Sequence, residues 1–435
     1  MTARTMTLPR AAGETVPAEG DADPLFDATE ALGAAREHVA DTALTESSPD
    51  TPLIGLELEF HLVDLAAPGR RPTWAEVQAL LAVVPAMPSG SGVTVEPGGQ
   101  VELSTPPTAG IEASVAALRR DRQVLGGALA AEGFGLAPLG ADPARTPQRI
   151  NPSGRYVAME QHFGALGCAD AGRAMMTSTA ALQVNLDAGP ATGWADRVAH
   201  LDALGPVLVA VSAGSPLLGG ETSGWRSRRQ QAWAGIDPRR TGPFTAGVAD
   251  PVAAWVDYAL DAPVMLVADP DGGVRPVTER VGFAEWLRGT APFGRRPTRA
   301  DLDYHLTTLF PPVRPRGYLE LRYLDALPDR WWPALAAIVA ALADDPVAAD
   351  LAAEHCEPVR GRWTAAAREG LDDPAIRTAA LACLDVAARH CAPALAADVA
   401  VYADLIASGR TPGDELADRA AAAGALTVLE EEARA

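Results

Sequence analysis

The chain has 435 residues, with 36 basic and 56 acidic side chains, which gives a formal net charge of −20 at pH 7. It contains no lysine, so every basic side chain is an arginine. A chain this acidic repels nucleic acid and anionic membrane surfaces as a whole, although a local group of arginines can still hold an anion. Its length allows one large domain or two fused ones, and a hydrophobic content of 48% excludes wholesale disorder.

Targeting and redox signals point to the cytoplasm. The N-terminal residues have no apolar core of a secretory signal, and no run of about 18 apolar residues predicts a membrane span. The four cysteines are scattered and form no C-x-x-C pair, which favours reduced thiols over a disulfide framework or a zinc knuckle. We therefore expect a cytoplasmic protein with no nucleic-acid or membrane partner, and no obligate protein partner is evident from the sequence.

The predicted elements, taken in chain order, give three regions. Residues 1–25 are rich in Thr, Pro, Gly, Ala and acids, which predicts a mobile tail. Residues 26–330 alternate strand patterns with predicted helices at 28–46, 74–84, 111–132, 196–213, 251–261 and 299–310. Residues 331–435 are alanine-rich with apolar residues at helical spacing, so this region is predicted to be all helix. No polar linker precedes it, and we expect it to pack on the part of the chain that carries the strands.

Four segments alternate apolar and polar residues, as strands with one buried and one open face do. They are Leu56–Leu62, Gln100–Ser104, Leu182–Asp187 and Leu319–Tyr323. An antiparallel sheet with helices on its apolar face satisfies all four. Its open face would then carry Glu57, Glu59, His61, Gln100, Glu102, Ser104, Gln183, Asn185, Asp187, Glu320 and Arg322.

The acidity of this open face predicts a cation site. Glu is depleted in strands, yet Glu57 and Glu59 lie two residues apart, about 6.6 Å. At an effective dielectric near 20 they repel by about 2.5 kcal/mol, and Glu102 and Glu320 add to this repulsion unless cations lie among them. Carboxylate and amide oxygens suit Mg²⁺ or Mn²⁺ rather than zinc. For any one strand alone, a solvated face remains the alternative, and His61 is equally compatible with a strand edge.

Two further segments are candidates for the same site. Glu96-Pro-Gly-Gly-Gln100 predicts a tight turn that lets a ligand or another backbone approach closely and brings Glu96 towards Glu102, although an ordinary turn fits as well. Arginines cluster within 225–230 and 237–242, and arginine forks hold carboxylates and phosphates in a bidentate manner. The alternative for each of these arginines is a surface pair with a nearby acid.

Seven motifs, in this order, resemble those of the glutamate–cysteine ligases. The resemblance is to the branch that contains the plant and proteobacterial enzymes and the actinobacterial ergothioneine-pathway ligase. It spans about residues 53–330, and the tail and the C-terminal helices carry little of it. The motifs are Gly55-Leu-Glu-Leu-Glu-Phe, Glu96-Pro-Gly-Gly-Gln-Val-Glu-Leu-Ser, Asn151-Pro-Ser-Gly-Arg-Tyr, Gln183-Val-Asn-Leu-Asp, Trp255-Val-Asp-Tyr-Ala-Leu-Asp-Ala-Pro, His305-Leu-Thr-Thr-Leu-Phe-Pro-Pro-Val-Arg and Gly317-Tyr-Leu-Glu-Leu-Arg-Tyr-Leu-Asp.

The resemblance implies an α+β, glutamine-synthetase-like fold: a curved antiparallel sheet with helices on its outer face. It implies ATP-dependent joining of the L-glutamate γ-carboxylate to the L-cysteine amine through a γ-glutamyl phosphate, with two or three Mg²⁺ ions (or Mn²⁺). By similarity the metal ligands would be Glu57, Glu59, Glu96, Glu102, Gln183 and Glu320, and Arg322 would lie against the transferred phosphoryl group. Substrate would be held by Arg155, Tyr156, Asn185, Arg228 and Arg229.

Two alternatives remain open. One is a carboxylate–amine ligase of the same fold that joins glutamate to a different amine. The other is a Mg²⁺- or nucleotide-binding sensor without catalysis, which the pairing of Arg322 with Glu320 argues against, because a sensor does not need a phosphoryl-stabilising arginine. The sequence has no P-loop, no dinucleotide-binding glycine motif and no G-x-S-x-G elbow. The redox-regulatory cysteines of the plant enzymes have no convincing counterpart.

Overall fold

The computed structural model describes residues 30–244, 249–269 and 272–435, so the predicted tail at 1–25 lies outside the described residues. The strands are β1 (Leu53–Asp64), β2 (Gly92–Val95), β3 (Val101–Ser104), β4 (Thr108–Ala109), β5 (Phe134–Ala137), β6 (Ala181–Leu186), β7 (Leu217–Leu218), β8 (Glu221–Thr222), β9 (Leu266–Ala268), β10 (Val274–Pro276), β11 (Val313–Pro315) and β12 (Leu319–Asp325).

The helices of the N-terminal three-quarters surround these strands. They are α1 (Ala31–Ala43), α2 (Trp74–Val83), α3 (Ile111–Ala131), α4 (Gly154–Ala165), α5 (Ala169–Ser178), α6 (Trp194–Val211), α7 (Arg228–Ala234), α8 (Pro238–Thr241), α9 (Pro251–Asp261), α10 (Phe283–Leu287) and α11 (Arg299–Leu306). The C-terminal helices are α12 (Trp332–Asp344), α13 (Pro346–Cys356), α14 (Trp363–Arg368), α15 (Pro374–His390), α16 (Ala396–Ala407), α17 (Pro412–Ala423) and α18 (Ala425–Arg434).

The main sheet is antiparallel throughout and has the order β11-β12-β6-β1-β3-β2, with β4 and β5 also paired to β1. The register between β1 and β3 sets Glu59 opposite Glu102, and the register between β6 and β12 sets Asn185 opposite Glu320. The four segments predicted to share one polar face are therefore neighbouring strands. The predicted α+β class, with an antiparallel sheet and a helical C-terminal region, is confirmed.

The apolar face of the sheet supplies the core. Leu56, Leu58 and Phe60 of β1 are completely buried. Helix α3 packs against β1 and β3, α6 against β12, and α12 against β6, so helices cover this face as the alternation predicts. The opposite face stays free of these helices and is available for a ligand.

The C-terminal helices share the core of the sheet. Helix α12 packs on α3 and α6, α15 packs on α6, and α18 packs on β5 and β1. One continuous hydrophobic cluster runs from Ala31 to Ile406. None of the described helices is long and apolar enough to span a bilayer.

A second, smaller apolar cluster stands above the polar face. It joins Met159 of α4, Met175 and Met176 of α5, and Ala232 of α7 to the small β9–β10 sheet. The sequence patterns did not predict α4, α5 or α7. Their apolar residues face this local cluster rather than the main core, so no long amphipathic stripe marks them. Helix α11 also ends at Leu306 rather than at the predicted residue 310, because a turn follows.

Candidate active site

A cavity of about 650 Å³ lies over the polar face of the main sheet. Its floor is formed by side chains of β1, β3, β6 and β12, and its walls come from the 93–97 hairpin, α2, α4, α5 and α7. Fourteen charged and amide side chains line it: Glu57, Glu59, Glu96, Glu102, Glu320, Gln78, Gln100, Gln183, Asn151, Arg155, Arg229, Arg314, Arg316 and Arg322. The remaining lining residues include Trp74, Tyr156, Met159, Met175, Met176, Trp233 and Phe310.

Four carboxylates gather on one side of the cavity, and three of them accept hydrogen bonds from the protein. Glu57 accepts from the Asn185 amide at 2.8 Å. Glu59 accepts from the backbone N–H of Ala181 at 2.8 Å, and Glu102 accepts from the hydroxyl groups of its neighbours Thr94 and Ser104. The fourth, Glu96, comes from the Pro97-Gly98-Gly99 turn. The strands and the turn thus hold acidic groups in place that would otherwise move apart.

Burial and mutual repulsion raise the pKa of all four carboxyls. Loss of hydration and the nearby Glu96 raise the pKa of Glu59 to about 8. Loss of hydration and the charges of Glu57 and Glu59 raise the pKa of Glu102 to about 8. Burial and Glu102 raise the pKa of Glu96 to about 7, and burial and Glu320 raise that of Glu57. A protein that keeps such a group ionised needs a cation to neutralise it.

The donor set of the cavity fits a hard divalent cation. Within residues 30–244, 249–269 and 272–435, no three His, Cys, Asp or Glu side chains are already gathered as a metal-binding group. Carboxylates without a cation repel one another and turn to protein donors instead, as Glu57, Glu59 and Glu102 do here. Buried carboxylate and amide oxygens in an open cavity are the ligand types that Mg²⁺ and Mn²⁺ prefer.

Glu320 has a different environment, because arginines surround it. Arg314 lies directly across the β11–β12 ladder and binds both of its oxygens. Arg322 Nη1 is 3.0 Å from Glu320 Oε1, and Arg316 Nη1 is 3.7 Å from the same atom. Burial alone would raise the pKa of Glu320, but the three arginines outweigh burial and hold its pKa well below its usual range. Glu320 therefore stays ionised.

Three arginines extend partly unpaired guanidinium groups into the cavity. Arg155 Nη1, Arg229 Nη1 and Arg322 Nε are buried nitrogens without a hydrogen-bond partner. One other nitrogen of each group is bonded to the protein: Arg229 Nη2 donates to the Arg322 carbonyl at 2.6 Å, and Arg322 Nη1 donates to Gln183 Oε1 at 2.7 Å. Arg155 Nη2 donates to the Thr307 carbonyl at 3.2 Å. A buried donor without a partner is costly, and an anionic ligand in this cavity would satisfy all three.

Two residues assigned to substrate from the sequence do not line the cavity. Asn185 is completely buried and its amide binds Glu57, so it lies beneath the carboxylate rather than beside a ligand. Arg228 is next to Arg229 in the chain, but it lies outside the lining and the acid that acts on it is Glu221. A seven-residue helix turns neighbouring side chains about 100° apart, so only one of the pair faces the site.

The other predicted polar-face residues fall into two groups. Gln100 lines the cavity, and its amide donates to the carbonyls of Met176 and Thr179. His61 lies beyond the cavity, where β1 pairs with β5, and its Nε2 is 3.0 Å from the Leu139 carbonyl. Asp187, at the far end of its segment, accepts from the backbone N–H of Leu53.

The arginine cluster is divided between the site and the surface. Arg226 pairs with Asp372 and Asp414, and Arg239 pairs with Asp237. Arg240 is buried and donates to the carbonyls of Pro263 and Thr308. Within the described part of this cluster, Arg229 alone lines the cavity.

Sequence reasoning missed Arg314 and Arg316. Both lie in the Pro311–Arg316 segment, which did not look like a strand because it is rich in proline. The sequence nonetheless contained a signal for this pairing. Arg314 and Arg316 lie two residues apart, and Gly317 and the strand that carries Glu320 follow them. This pattern is typical of two short antiparallel strands with opposite charges facing each other, as Arg314 and Glu320 do.

The fold and this cavity define an α+β enzyme with a polar ligand site in which buried carboxylates face arginines. Residues 53–432 match the model of glutamate–cysteine ligase family 2, and the chain belongs to this family. It is 51% identical over 393 residues to glutamate–cysteine ligase EgtA of Mycolicibacterium smegmatis, with 89% of this chain and 92% of that protein covered. The Mycobacterium tuberculosis protein of the same name is 50% identical over 401 residues, with 91% and 92% covered.

More distant similarities agree with the family. The chloroplastic glutamate–cysteine ligase of Brassica juncea is 34% identical over 289 residues, which cover 64% of this chain and 54% of that protein. The crystal structure of the Francisella tularensis glutamate–cysteine ligase in complex with AMP superimposes with a TM-score of 0.55 at 14% identity, covering 90% of this chain and 89% of that one. At that identity the likeness shows a shared fold.

Proposed function

We propose that this protein is a glutamate–cysteine ligase, which joins the γ-carboxylate of L-glutamate to the amino group of L-cysteine and converts ATP to ADP and phosphate. One structural observation carries the proposal: a single cavity brings four carboxylates with raised pKa against three arginines that have unpaired donors. Identities of 50% and 51% over about nine-tenths of the chain, to two proteins named glutamate–cysteine ligase, support it.

The chemistry requires both halves of this cavity. A carboxylate is a poor electrophile at neutral pH, and transfer of a phosphoryl group from ATP turns the γ-carboxylate into γ-glutamyl phosphate, an acyl phosphate with a good leaving group. The amine nitrogen then attacks the acyl carbon, the C–O bond to phosphate breaks, and the amide forms with loss of a proton. Catalysis of the first step consists mainly of positioning and of charge stabilisation.

The carboxylate side of the cavity would hold Mg²⁺, two or three ions by the family resemblance, with Mn²⁺ as a substitute. The residues that would hold them are Glu57, Glu59, Glu96, Glu102, Gln183 and Glu320. Each carboxylate oxygen has two acceptor positions, so the arginine contacts of Glu320 still leave room on Oε2. When bound, such ions neutralise the ATP phosphates and the buried carboxylates together.

The arginine side of the cavity would hold the reacting anions. Arg322 is fixed between Glu320 and Gln183 and keeps Nε free, so its fork is aimed where a transferred phosphoryl group would lie. Arg229 and Arg155, together with Tyr156, would hold the glutamate carboxylates. Asn185 would act one layer below, by fixing the Glu57 carboxylate rather than by touching substrate. Arg228, which the cavity does not include, has no substrate role in this proposal.

We place the reaction in the cytoplasm and in ergothioneine biosynthesis, as the resemblance to the actinobacterial branch implies. The alternative within the same fold is a ligase that joins glutamate to a different amine. An ADP-release assay with glutamate and a panel of amino acids separates the two, because this proposal expects L-cysteine to give the highest kcat/KM.

Formation of γ-glutamyl phosphate can be tested directly by isotope transfer. With oxygen-18 in the glutamate γ-carboxylate, one labelled oxygen should appear in the released phosphate, because the γ-carboxylate oxygen leaves with the phosphoryl group. Unlabelled phosphate, or release of AMP and pyrophosphate, would rule out the acyl-phosphate route.

A further inference from the structure

The strand that carries Arg322 is irregular at that residue. Leu321 of β12 lies opposite Val184 of β6, but the next register pair is Leu324 with Leu182. Two residues of β12, Arg322 and Tyr323, therefore face the single residue Gln183 on β6. This is a β-bulge, which bends the strand and re-aims the side chains within it.

At the bulge, two carbonyl groups of β12 accept hydrogen bonds from side chains of helix α7 instead of from β6. Arg229 Nη2 donates to the Arg322 carbonyl at 2.6 Å, and Gln230 Nε2 donates to the Tyr323 carbonyl at 2.7 Å. Consecutive side chains of one short helix thus hold consecutive carbonyls of the bulge. Both carbonyls are therefore bonded to α7 rather than to β6, while the Arg322 N–H donates to the Pro312 carbonyl beside β11 at 2.9 Å.

Helix α7 is itself anchored to the end of the same strand. Ser227 caps its N-terminus by accepting from the Gln230 backbone N–H at 3.0 Å, and the Ser227 hydroxyl donates to Asp325 at 2.9 Å. Ser215 donates to the other Asp325 oxygen at 2.6 Å. The start of the helix is therefore held by a buried aspartate at the end of β12. This anchor fixes the positions of the Arg229 and Gln230 side chains relative to the carbonyls of the bulge.

We infer that Gln230 is a positioning residue for Arg322: its hydrogen bond to the Tyr323 carbonyl holds the bulge that aims the Arg322 guanidinium at the transferred phosphoryl group. The inference rests on the proposed role of Arg322. Gln230 does not line the cavity and touches no candidate ligand. Its influence would pass through the backbone, and it should therefore act on the rate of the phosphoryl-transfer step more than on substrate binding.

The test replaces Gln230 by methionine, which keeps the length of the side chain and removes the donor. We expect Q230M to lower kcat about tenfold, the size of effect that one hydrogen bond can have on a rate when it aims a catalytic group, with KM for ATP and glutamate changed less than threefold. Q230L, a second apolar variant, should behave alike and covers the case in which Q230M folds poorly. Q230K restores a donor and should recover part of the rate.

The matched control is Q231M. Gln231 is the next residue on α7 and accepts from the Ser223 hydroxyl on the surface, so the same chemical change there should leave kcat within twofold. A double variant tests whether the loss of kcat in Q230M is transmitted through Arg322. If Gln230 acts through Arg322, adding Q230M to R322K should lower kcat less than threefold further, because the two changes remove the same interaction.

Wild-type kcat in Q230M and Q230L, or fully additive losses with R322K, would overturn the inference. Equal losses in Q230M and Q231M would do the same, because they would indicate general destabilisation of α7. Failure of the proposed function itself looks different, since the wild-type protein would then release no ADP with glutamate and cysteine.

Discussion

Glu59 and Glu102 lie directly opposite each other on the neighbouring antiparallel strands β1 and β3, with no positive side chain between them in the register. Like charges at such positions destabilise a sheet, and burial raises the pKa of both carboxyls to about 8. The pair is therefore unfavourable for the fold alone and favourable for a cation.

The first prediction concerns this pair. E102Q keeps the shape of the side chain and removes one charge, so it should raise the Mg²⁺ concentration for half-maximal activity at least tenfold. In excess chelator its melting temperature should equal or exceed that of the wild type, because a repulsion has been removed. Activity titrations with Mg²⁺ and thermal melts measure both. E132Q, an exposed change at the end of α3, is the control. Full wild-type activity in excess chelator would refute the metal site.

The second prediction concerns Arg322. R322K keeps the charge but loses the planar fork, in which Nη1 contacts Glu320 and Gln183 while Nε is left for a ligand. We expect kcat to fall about 10³-fold with a smaller change in KM for ATP, since the charge on the transferred group grows towards the transition state. R120K, on the exposed side of α3, should keep wild-type kinetics. If R322K instead only lowers the melting temperature and keeps kcat within a few-fold, Arg322 is a structural ion-pair partner.

The third prediction concerns the turn that carries Glu96. A Cβ atom on Gly98 would lie 2.2 Å from the Thr177 carbonyl oxygen, which is backbone of α5 and cannot move aside. G98A should therefore displace the turn, lower activity more than tenfold and destabilise the protein by about 1–3 kcal/mol. G92A in the same hairpin has no neighbour within 4 Å of the added methyl group and serves as the control. Wild-type activity in G98A would show that the position of Glu96 is unimportant.

The fourth prediction concerns acid stability. Burial and the nearby Arg240 lower the pKa of His305 to about 3, whereas an unfolded histidine titrates near 6.5. Above pH 6.5 His305 binds no proton in either the folded or the unfolded protein. As the pH falls below 6.5 the unfolded chain binds a proton that the folded protein does not, so stability is lost. At pH 5 this effect lowers the free energy of unfolding by about 2 kcal/mol.

H305Q tests this by removing the titrating group while keeping a donor for the Ala259 carbonyl. Its free energy of unfolding should fall less between pH 7 and pH 5 than that of the wild type, by about 2 kcal/mol in urea titrations. Identical pH dependence in H305Q and wild type would contradict the prediction.

The sequence alone determined the strands and the chemistry of their open face. Alternation with period two is a local property, so it set Glu57 with Glu59, and Glu320 with Arg322, on common faces before any partner strand was known. The acidity of that face pointed to cations for the same reason. Longer helices such as α3 and α9 could also be predicted from their local sequence, because each has an apolar stripe that packs on the main core.

Only the tertiary structure decided which side chains meet. Arg229 reaches the cavity and Arg228 does not, because a short helix docks on β12 in one orientation. Asn185 lies on the predicted face, yet it is covered because Glu57 lies over it. Arg314 faces Glu320 through a strand register, and side chains of α7 donate to the carbonyls of the bulge at Arg322. These features depend on contacts between residues far apart in the chain, and no local pattern encodes such contacts.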